Sequence, residues 1–105
     1  MLGKINCLCK ILILKLRYGK KLDIRPKGQI IRADTKIKIG KCARISVGTL
    51  SVNTNTHIEC ERGELKIGHG VIFNRNCIVA CREKITIGDN CLFGPNVCLF
   101  DHDHL

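Results

Sequence analysis

A fixed spacing of bulky apolar residues dominates the second half of this sequence. The motif apolar-x-apolar-Gly occurs as ISVG at 45–48, LKIG at 65–68 and ITIG at 85–88, each copy 20 residues after the last, and an earlier copy, IKIG, occupies 37–40. Two runs of bulky apolar residues also share a spacing of six: first Ile67, Phe73 and Val79, then Ile87, Phe93, Leu99 and Leu105. Such a regular period predicts a repeat architecture.

A second column of smaller apolar residues follows the same register. Four residues after each hexad start lie Val71, Cys77, Cys91 and Val97. In a β-solenoid each hexad supplies a short strand and a turn, three strands close a coil, and coils stack ~4.8 Å apart. We therefore expect both columns to point inward, with Cys77 and Cys91 as small core residues. The unit that begins at Val47 fits less well, because Asn53 and Glu59 occupy its hexad starts.

The residues between the hexads are typical of tight corners. A glycine follows the last apolar residue of each motif, and Asp89, Asn90 and Asn96 lie nearby. These residue types tolerate the left-handed backbone that a corner requires. A β-sandwich would instead show alternation of period two with turns of varied length. We therefore predict an all-β parallel solenoid of about four coils over residues 27–105.

The composition supports strands and argues against one class of partner. Hydrophobic residues make up 45% of the 105 residues, but aromatic residues only 4%, with no tryptophan. A β-branched, aliphatic composition suits strands. Stacking on nucleobases requires aromatic side chains, so nucleic acid is not an expected partner.

The N-terminal segment carries most of the positive charge. Residues 1–32 hold nine basic residues and one acid, Asp23. Residues 4–18 predict an amphipathic helix that ends at Gly19, and residues 19–28 predict a connector. The predicted apolar face of the helix consists of Ile5, Leu8, Leu12 and Leu16. Residues 1–26 therefore form a basic helix and connector that either docks on the solenoid as a cap or lies on an anionic membrane surface.

The cysteines and the absence of targeting signals indicate a location. The sequence has eight cysteines but no signal peptide, since the apolar run Ile11–Leu14 is too short. We expect free thiols in the cytoplasm, with the basic helix allowing a peripheral position at the inner face of the membrane. No metal is expected: a Cys-x-x-Cys pair is absent, and a third histidine to complete a zinc site with His102 and His104 is not evident.

The hexads over 37–105 resemble the hexapeptide-repeat, left-handed β-helix acyltransferases. The stretch ITIGDNCLFGPNVCLFDHDHL at 85–105 is similar to the segment leading into the active-site loop of sugar O-acetyltransferases of capsule and lipopolysaccharide pathways, and of galactoside and maltose acetyltransferases. The resemblance implies left-handed winding, an enzyme that transfers acetyl from acetyl-CoA to a hydroxyl of a sugar or polysaccharide precursor, and a homotrimer. Chains of the family continue beyond this loop, so we expect this chain to be the N-terminal portion.

The same resemblance implies the site residues. A loop histidine acts as the general base, because its pKa near neutrality lets it take the acceptor's proton. Alignment without gaps from Pro95 gives His104 this role, with His102 in reserve. Asp101 and Asp103 are candidates to orient an imidazole or, with Asn96, to contact the acceptor. Two alternatives stay open: a solvated polar corner, or a catalytically inert β-helix that only assembles or binds.

Overall fold

The strands wind around a common axis. A computed structural model describes residues 2–25, 27–32 and 34–102, and within them ten strands, all paired in parallel, form a β-solenoid of about four coils after one helix. The predicted solenoid of about four coils behind an N-terminal helix is thereby confirmed; its handedness stays a prediction.

One helix precedes the strands. Helix α1 spans Leu2–Tyr18, and a 3₁₀ turn covers Gly19–Lys21. The strands in chain order are β1 (Leu22–Ile24), β2 (Ile30–Ile31), β3 (Lys36–Val47), β4 (Leu50–Val52), β5 (His57–Ile67), β6 (Val71–Phe73), β7 (Ile78–Cys81), β8 (Lys84–Ile87), β9 (Leu92–Phe93) and β10 (Cys98–Phe100).

Three faces arise because two strands bend around a corner. Strands β2, β4, β6 and β9 form one four-stranded sheet. Strands β3 and β5 pair along most of their lengths, but the first half of β5 continues into β7 and the second half into β8. The second sheet therefore covers two faces, which meet at the bend in β3 and β5.

The repeat of 20 residues survives a shift of register inside the second coil. Ile45 pairs with Leu65, 20 residues on, whereas Leu50 pairs with Val71, 21 residues on. The corner after Val47 is one residue shorter than the corner after Ile67, and a longer corner before Leu65 restores the count. This offset explains why Asn53 and Glu59 fall on the predicted hexad starts: the inward positions are one residue earlier.

The two apolar columns fill the interior. Val71, Phe73, Cys77 and Val79 are all buried, which confirms the predicted register for the third coil. In the fourth coil the corresponding residues are half-buried and pack against the core: Cys91, Phe93, Val97 and Leu99. The rings of Phe73 and Phe93 stack with centroids 4.7 Å apart, which links the two coils through the middle of the molecule. Leu105 lies outside the described residues.

Helix α1 docks on the first coil, but through a different face from the predicted one. The buried residues are Cys7, Ile11 and Leu14, while Leu8, Leu12 and Leu16 are exposed. The side chain of Ile5 lies outside what the structure describes. Both sets have helical spacing, so periodicity could not choose between them. The docked face wins because Cys7 fits the first coil: its Sγ donates to the Gln29 carbonyl and accepts from the Ile31 N–H.

The segment predicted as a connector contains the first strand. Helix α1 ends as predicted, with Gly19 at φ +59. Strand β1 follows almost at once and pairs with the second half of β3. Leu22 and Ile24 are buried and Asp23 is exposed, a short alternation of period two that the nearby proline and glycine obscured. The solenoid therefore begins at Leu22, within the range 1–26 assigned to helix and connector.

The corners use asparagine and glycine for different reasons. Asn90 and Asn96 have φ of +60 and +64, as predicted for left-handed corners. The motif glycines do not: Gly48 is needed because a methyl group there would lie 2.6 Å from the Gly68 carbonyl oxygen of the next coil. Asp89 also lacks the left-handed backbone, and its carboxylate accepts the His69 N–H at 2.7 Å. These glycines therefore permit close stacking rather than a turn.

Two further features bear on location. In the part of the chain that the structure describes, no helix has the length and apolar character needed to cross a membrane. All eight cysteines are free thiols.

Candidate functional site

The predicted site begins where β10 ends, at the top of a column of stacked side chains. Ile39 pairs with Cys60 and Cys60 with Cys81. Asp101 comes next in this column, since Phe100 pairs with Ala80, and its Oδ2 lies 3.7 Å from the Cys81 Sγ. The spacing of 20 residues thus places a carboxylate directly above a buried thiol.

The Asp101 carboxylate holds the corner of the coil below it. Oδ1 accepts the Arg82 N–H at 2.7 Å, and Oδ2 accepts the N–H groups of Glu83 and Lys84 at 2.7 and 2.8 Å. Burial works to raise the pKa of Asp101, but these backbone donors stabilise the ionised form and hold its pKa well below the usual range. Asp101 is therefore a charged anchor between the third and fourth coils.

His102 lies beside this anchored carboxylate. Its Nδ1 is 3.3 Å from Oδ1 of Asp101, and its ring meets Phe100 edge-on with centroids 5.9 Å apart. The side chains of His102 and Asp101 are only 12% and 14% exposed. A carboxylate facing Nδ1 favours the proton on that nitrogen, which gives Nε2 the lone pair that a general base needs. The arrangement can therefore orient an imidazole for proton transfer.

The thiols beneath the site do not share this chemistry. Burial raises the pKa of Cys60, and burial together with the neighbouring Cys60 raises the pKa of Cys81 to about 12. Both remain protonated near neutral pH, and a thiol rather than a thiolate is a poor nucleophile or metal ligand. They act as small core residues, the role predicted for the cysteines of the inward columns.

The other predicted site residues are not gathered around His102. His104 and Asp103 lie outside the described residues. Asn96 occupies the corner at the opposite end of β10, where its N–H donates to the Arg75 carbonyl at 3.0 Å. The structure thus brings together Asp101 and His102 and separates them from Asn96 by the length of a strand.

The remaining histidines lie elsewhere on the surface. The Nε2 of His57 is 3.6 Å from a carboxylate oxygen of Glu59, with 40% of the His57 side chain exposed. His69 is an exposed corner residue. Within residues 2–25, 27–32 and 34–102 no group of three or more His, Cys, Asp or Glu side chains is arranged to hold a metal ion.

The grooves of the surface are shallow and lie away from His102. One, of about 500 Å³, runs along the corner after β8 and is lined by Ser46, Lys66 and Thr86 among others. A second, also about 500 Å³, separates the end of α1 from the first coil and is lined by Lys15, Lys20, Asp23 and Arg44. Neither is lined by Asp101 or His102.

Sequence reasoning missed the corner at 82–84 as part of the site. Its three N–H groups fix the carboxylate that faces His102, yet its residues carry no motif of their own. The signal that could have found it is the spacing of 20 residues from Cys81 to Asp101, which equals one coil.

Comparison with models of protein families, with curated proteins and with solved structures finds no match to this chain. The acyltransferase resemblance therefore has no support from these comparisons.

Proposed function

We propose that this chain takes part in the transfer of an acetyl group from acetyl-CoA to a hydroxyl of a sugar or polysaccharide precursor. One observation carries the proposal: His102 lies 3.3 Å from an anchored carboxylate, Asp101, at a corner of the last coil. The stretch containing both residues is the one that resembles the acetyltransferase loop. The proposal thus rests on a local geometry suited to proton transfer and on that resemblance.

In the proposed reaction His102 is the general base and Asp101 positions it. Nε2 takes the proton of the acceptor hydroxyl as its oxygen attacks the thioester carbonyl carbon. The tetrahedral intermediate then collapses, the carbon–sulfur bond breaks, and the coenzyme A thiolate receives the proton from the imidazolium. The products are the O-acetyl ester and free coenzyme A. His104, the base favoured by the sequence, is tested beside His102.

The site needs walls beyond the residues around His102, because the two larger surface grooves lie elsewhere. We place them on a neighbouring copy in the homotrimer that the resemblance implies. The proposed acyl donor and acceptor would then bind between subunits, and trimer formation would be required for turnover. Size-exclusion chromatography with light scattering measures the assembly directly.

The experiment measures acetylated product by mass spectrometry, with this chain, acetyl-CoA and a panel of sugar acceptors. Dyes that detect released thiol are unsuitable because the protein itself has eight cysteines. We expect His102→Asn to lower kcat by about 10²–10⁴-fold, the usual contribution of a general base. We expect Asp101→Asn to lower kcat with little change in KM and to shift the pH profile.

The matched control is His57→Asn, since His57 lies on another coil and its ion pair is with Glu59 rather than with any residue around His102. This variant should retain full activity. If His102→Asn is fully active and His104→Asn is inactive, the base is His104 and the role of the described pair is wrong. If both variants retain full turnover, the proposed mechanism fails.

A specific observation favours the alternative of an inert assembly or binding module. Leu92 and Phe100 are large apolar residues of the fourth coil and are 74% and 46% exposed. Such residues suit contact with another protein surface. This function predicts no heat of acetyl-CoA binding in calorimetry, and assembly that is lost when Leu92 and Phe100 are both replaced by Gln.

A further inference from the structure

The outward face of helix α1 is apolar, although the helix is already docked. Leu8, Leu12, Ile13 and Leu16 are 40%, 53%, 63% and 87% exposed. With about 100° of rotation per residue, all four fall within one arc of the helix. The opposite side carries the docking contacts of Cys7, Ile11 and Leu14. The helix therefore has two apolar faces, and the solenoid covers only one.

The docked face is held firmly enough for the outward face to be a lasting feature of the surface. Ile11 is fully buried against the first coil. Lys15 donates from Nζ to the Ile24 carbonyl at 3.1 Å, and the Tyr18 hydroxyl donates to the Ile37 carbonyl at 3.4 Å. Turning the helix to bury Leu12 and Leu16 would break these contacts. The exposed leucines are thus presented to whatever lies beyond the N-terminal end of the solenoid.

Cations border this apolar face. Arg17 is exposed at its edge, and Lys20 is exposed in the 3₁₀ turn that follows. The nearest acid in sequence, Asp23, has its carboxylate 3.7 Å from the Arg44 guanidinium. Residues 1–32 as a whole hold nine basic residues and one acid. An apolar strip with a cationic margin matches the boundary between acyl chains and anionic headgroups.

The charge distinguishes a lipid surface from a second copy of the chain. Two copies meeting through this face would bring two strongly basic segments together, and like charges oppose such an approach. An anionic bilayer offers the opposite charge and an apolar layer at once. Among the occupants that could cover the leucines, only this one satisfies both features.

We propose that the outward face of α1, formed by Leu8, Leu12, Ile13 and Leu16, binds the surface of an anionic membrane. The helix lies in the plane of the interface with its leucines among the acyl chains, while Arg17 and Lys20 contact headgroup phosphates. The solenoid stands on the membrane at its first coil, and His102 faces away from the lipid. This proposal does not depend on acetyl transfer.

The test is co-sedimentation of the full chain with vesicles of phosphatidylcholine alone and with vesicles rich in phosphatidylserine. The wild type should bind the second kind in preference. We expect the double variant Leu12→Gln with Leu16→Gln to lose at least about tenfold in partition coefficient, because both side chains leave water on binding. The matched control is Leu92→Gln, which removes an equally exposed leucine from the fourth coil and should bind like the wild type.

A second pair of variants tests the charge. Arg17→Gln with Lys20→Gln should lower binding to the anionic vesicles by about tenfold, since each cation near the surface adds attraction. Lys84→Gln, an exposed position of the fourth coil, should change binding little. Far-UV circular dichroism confirms that all variants keep the fold.

Two results would overturn the proposal. One is unchanged vesicle binding by the double leucine variant, which would show that any attraction is electrostatic alone. The other is an absence of vesicle binding by the wild type, combined with a lower oligomeric state of the leucine variant in analytical ultracentrifugation. That outcome would assign the face to a second copy of the chain.

Discussion

The two ends of the solenoid are built from the same kinds of residue but differ in how completely they are covered. At the first coil, α1 lies over Leu22, Ile24 and Ile31, and all three are buried. At the fourth coil, Phe93 and Leu99 occupy inward positions yet are only half-buried. In the part of the chain that the structure describes, no strand pairs with β8, β9 or β10 on the side away from the third coil.

This difference shows that a hexad position alone does not determine burial. An inward residue becomes fully buried only when chain lies both above and below it, as for Phe73 and Val79 of the third coil. Each coil of a solenoid contacts only its neighbours, so its stability is a sum of local terms. Substitutions at equivalent positions of the third and fourth coils should therefore have unequal effects.

The largest expected effect comes from replacing the stacked phenylalanines. Phe73→Ala should lower the free energy of unfolding by about 3–5 kcal/mol, because it leaves a cavity in the fully covered interior. Phe93→Ala should cost about 1–2 kcal/mol, since part of that ring is already in contact with water. Urea titrations monitored by circular dichroism give both values. Equal losses for the two variants would mean that the fourth coil is covered in solution.

A pair of glycines provides the next comparison. Gly48→Ala should cost about 2–3 kcal/mol, because the new methyl group would lie 2.6 Å from the Gly68 carbonyl oxygen, a backbone atom that cannot move alone. Gly88→Ala should change stability by about 0.5 kcal/mol or less, since no atom lies within 4 Å of the added carbon. Thermal unfolding distinguishes the two. A large loss for Gly88→Ala would contradict the open surface of the fourth coil.

The smallest of the three effects is expected at the anchor between the coils. Asp101→Asn should lower stability by about 1–2 kcal/mol, because an amide oxygen replaces a carboxylate that accepts three backbone N–H groups. The control is Asp23→Asn, which removes an exposed carboxylate from the first coil. It should change stability by less than about 0.5 kcal/mol.

The pH dependence of Asp101 has a definite sign. Its pKa is lower in the folded chain than in the unfolded chain, so its contribution is complete above the unfolded value near 4. The contribution declines as the pH falls through the lower folded pKa. The stability difference between wild type and Asp101→Asn should therefore be constant from neutral pH down to about 5 and should shrink in stronger acid. A difference that grew in acid would mean that the pKa is raised.

The sequence predicts the solenoid most accurately where the corners have uniform length. From Ile67 to Leu99 each inward residue falls on the predicted hexad. The second coil departs from the predicted register because a short corner after Val47 shifts the inward positions by one. The helix face was wrong for another reason: two faces have helical spacing, and only contact with Gln29 and Ile31 decides between them.

For the candidate site, the sequence predicts the residue types but not their roles. His102 and Asp101 stand out as a polar cluster, and the structure places them in contact. The anchoring of Asp101 depends on donors from residues 82–84, in the coil below. Such a contact is invisible until the coils are stacked, and His104 lies outside the described residues.

The two unequal corners of the second coil have a consequence for how such a chain can change in length. The missing residue at 48–49 is balanced by the additional residue at 61–64, and the strands between them still face inward. A gain at one corner is thus cancelled by a loss at another, and the disturbance stays within one coil. Corners behave as independent joints, so evolution or engineering can graft a peptide onto one of them without altering the neighbouring coils.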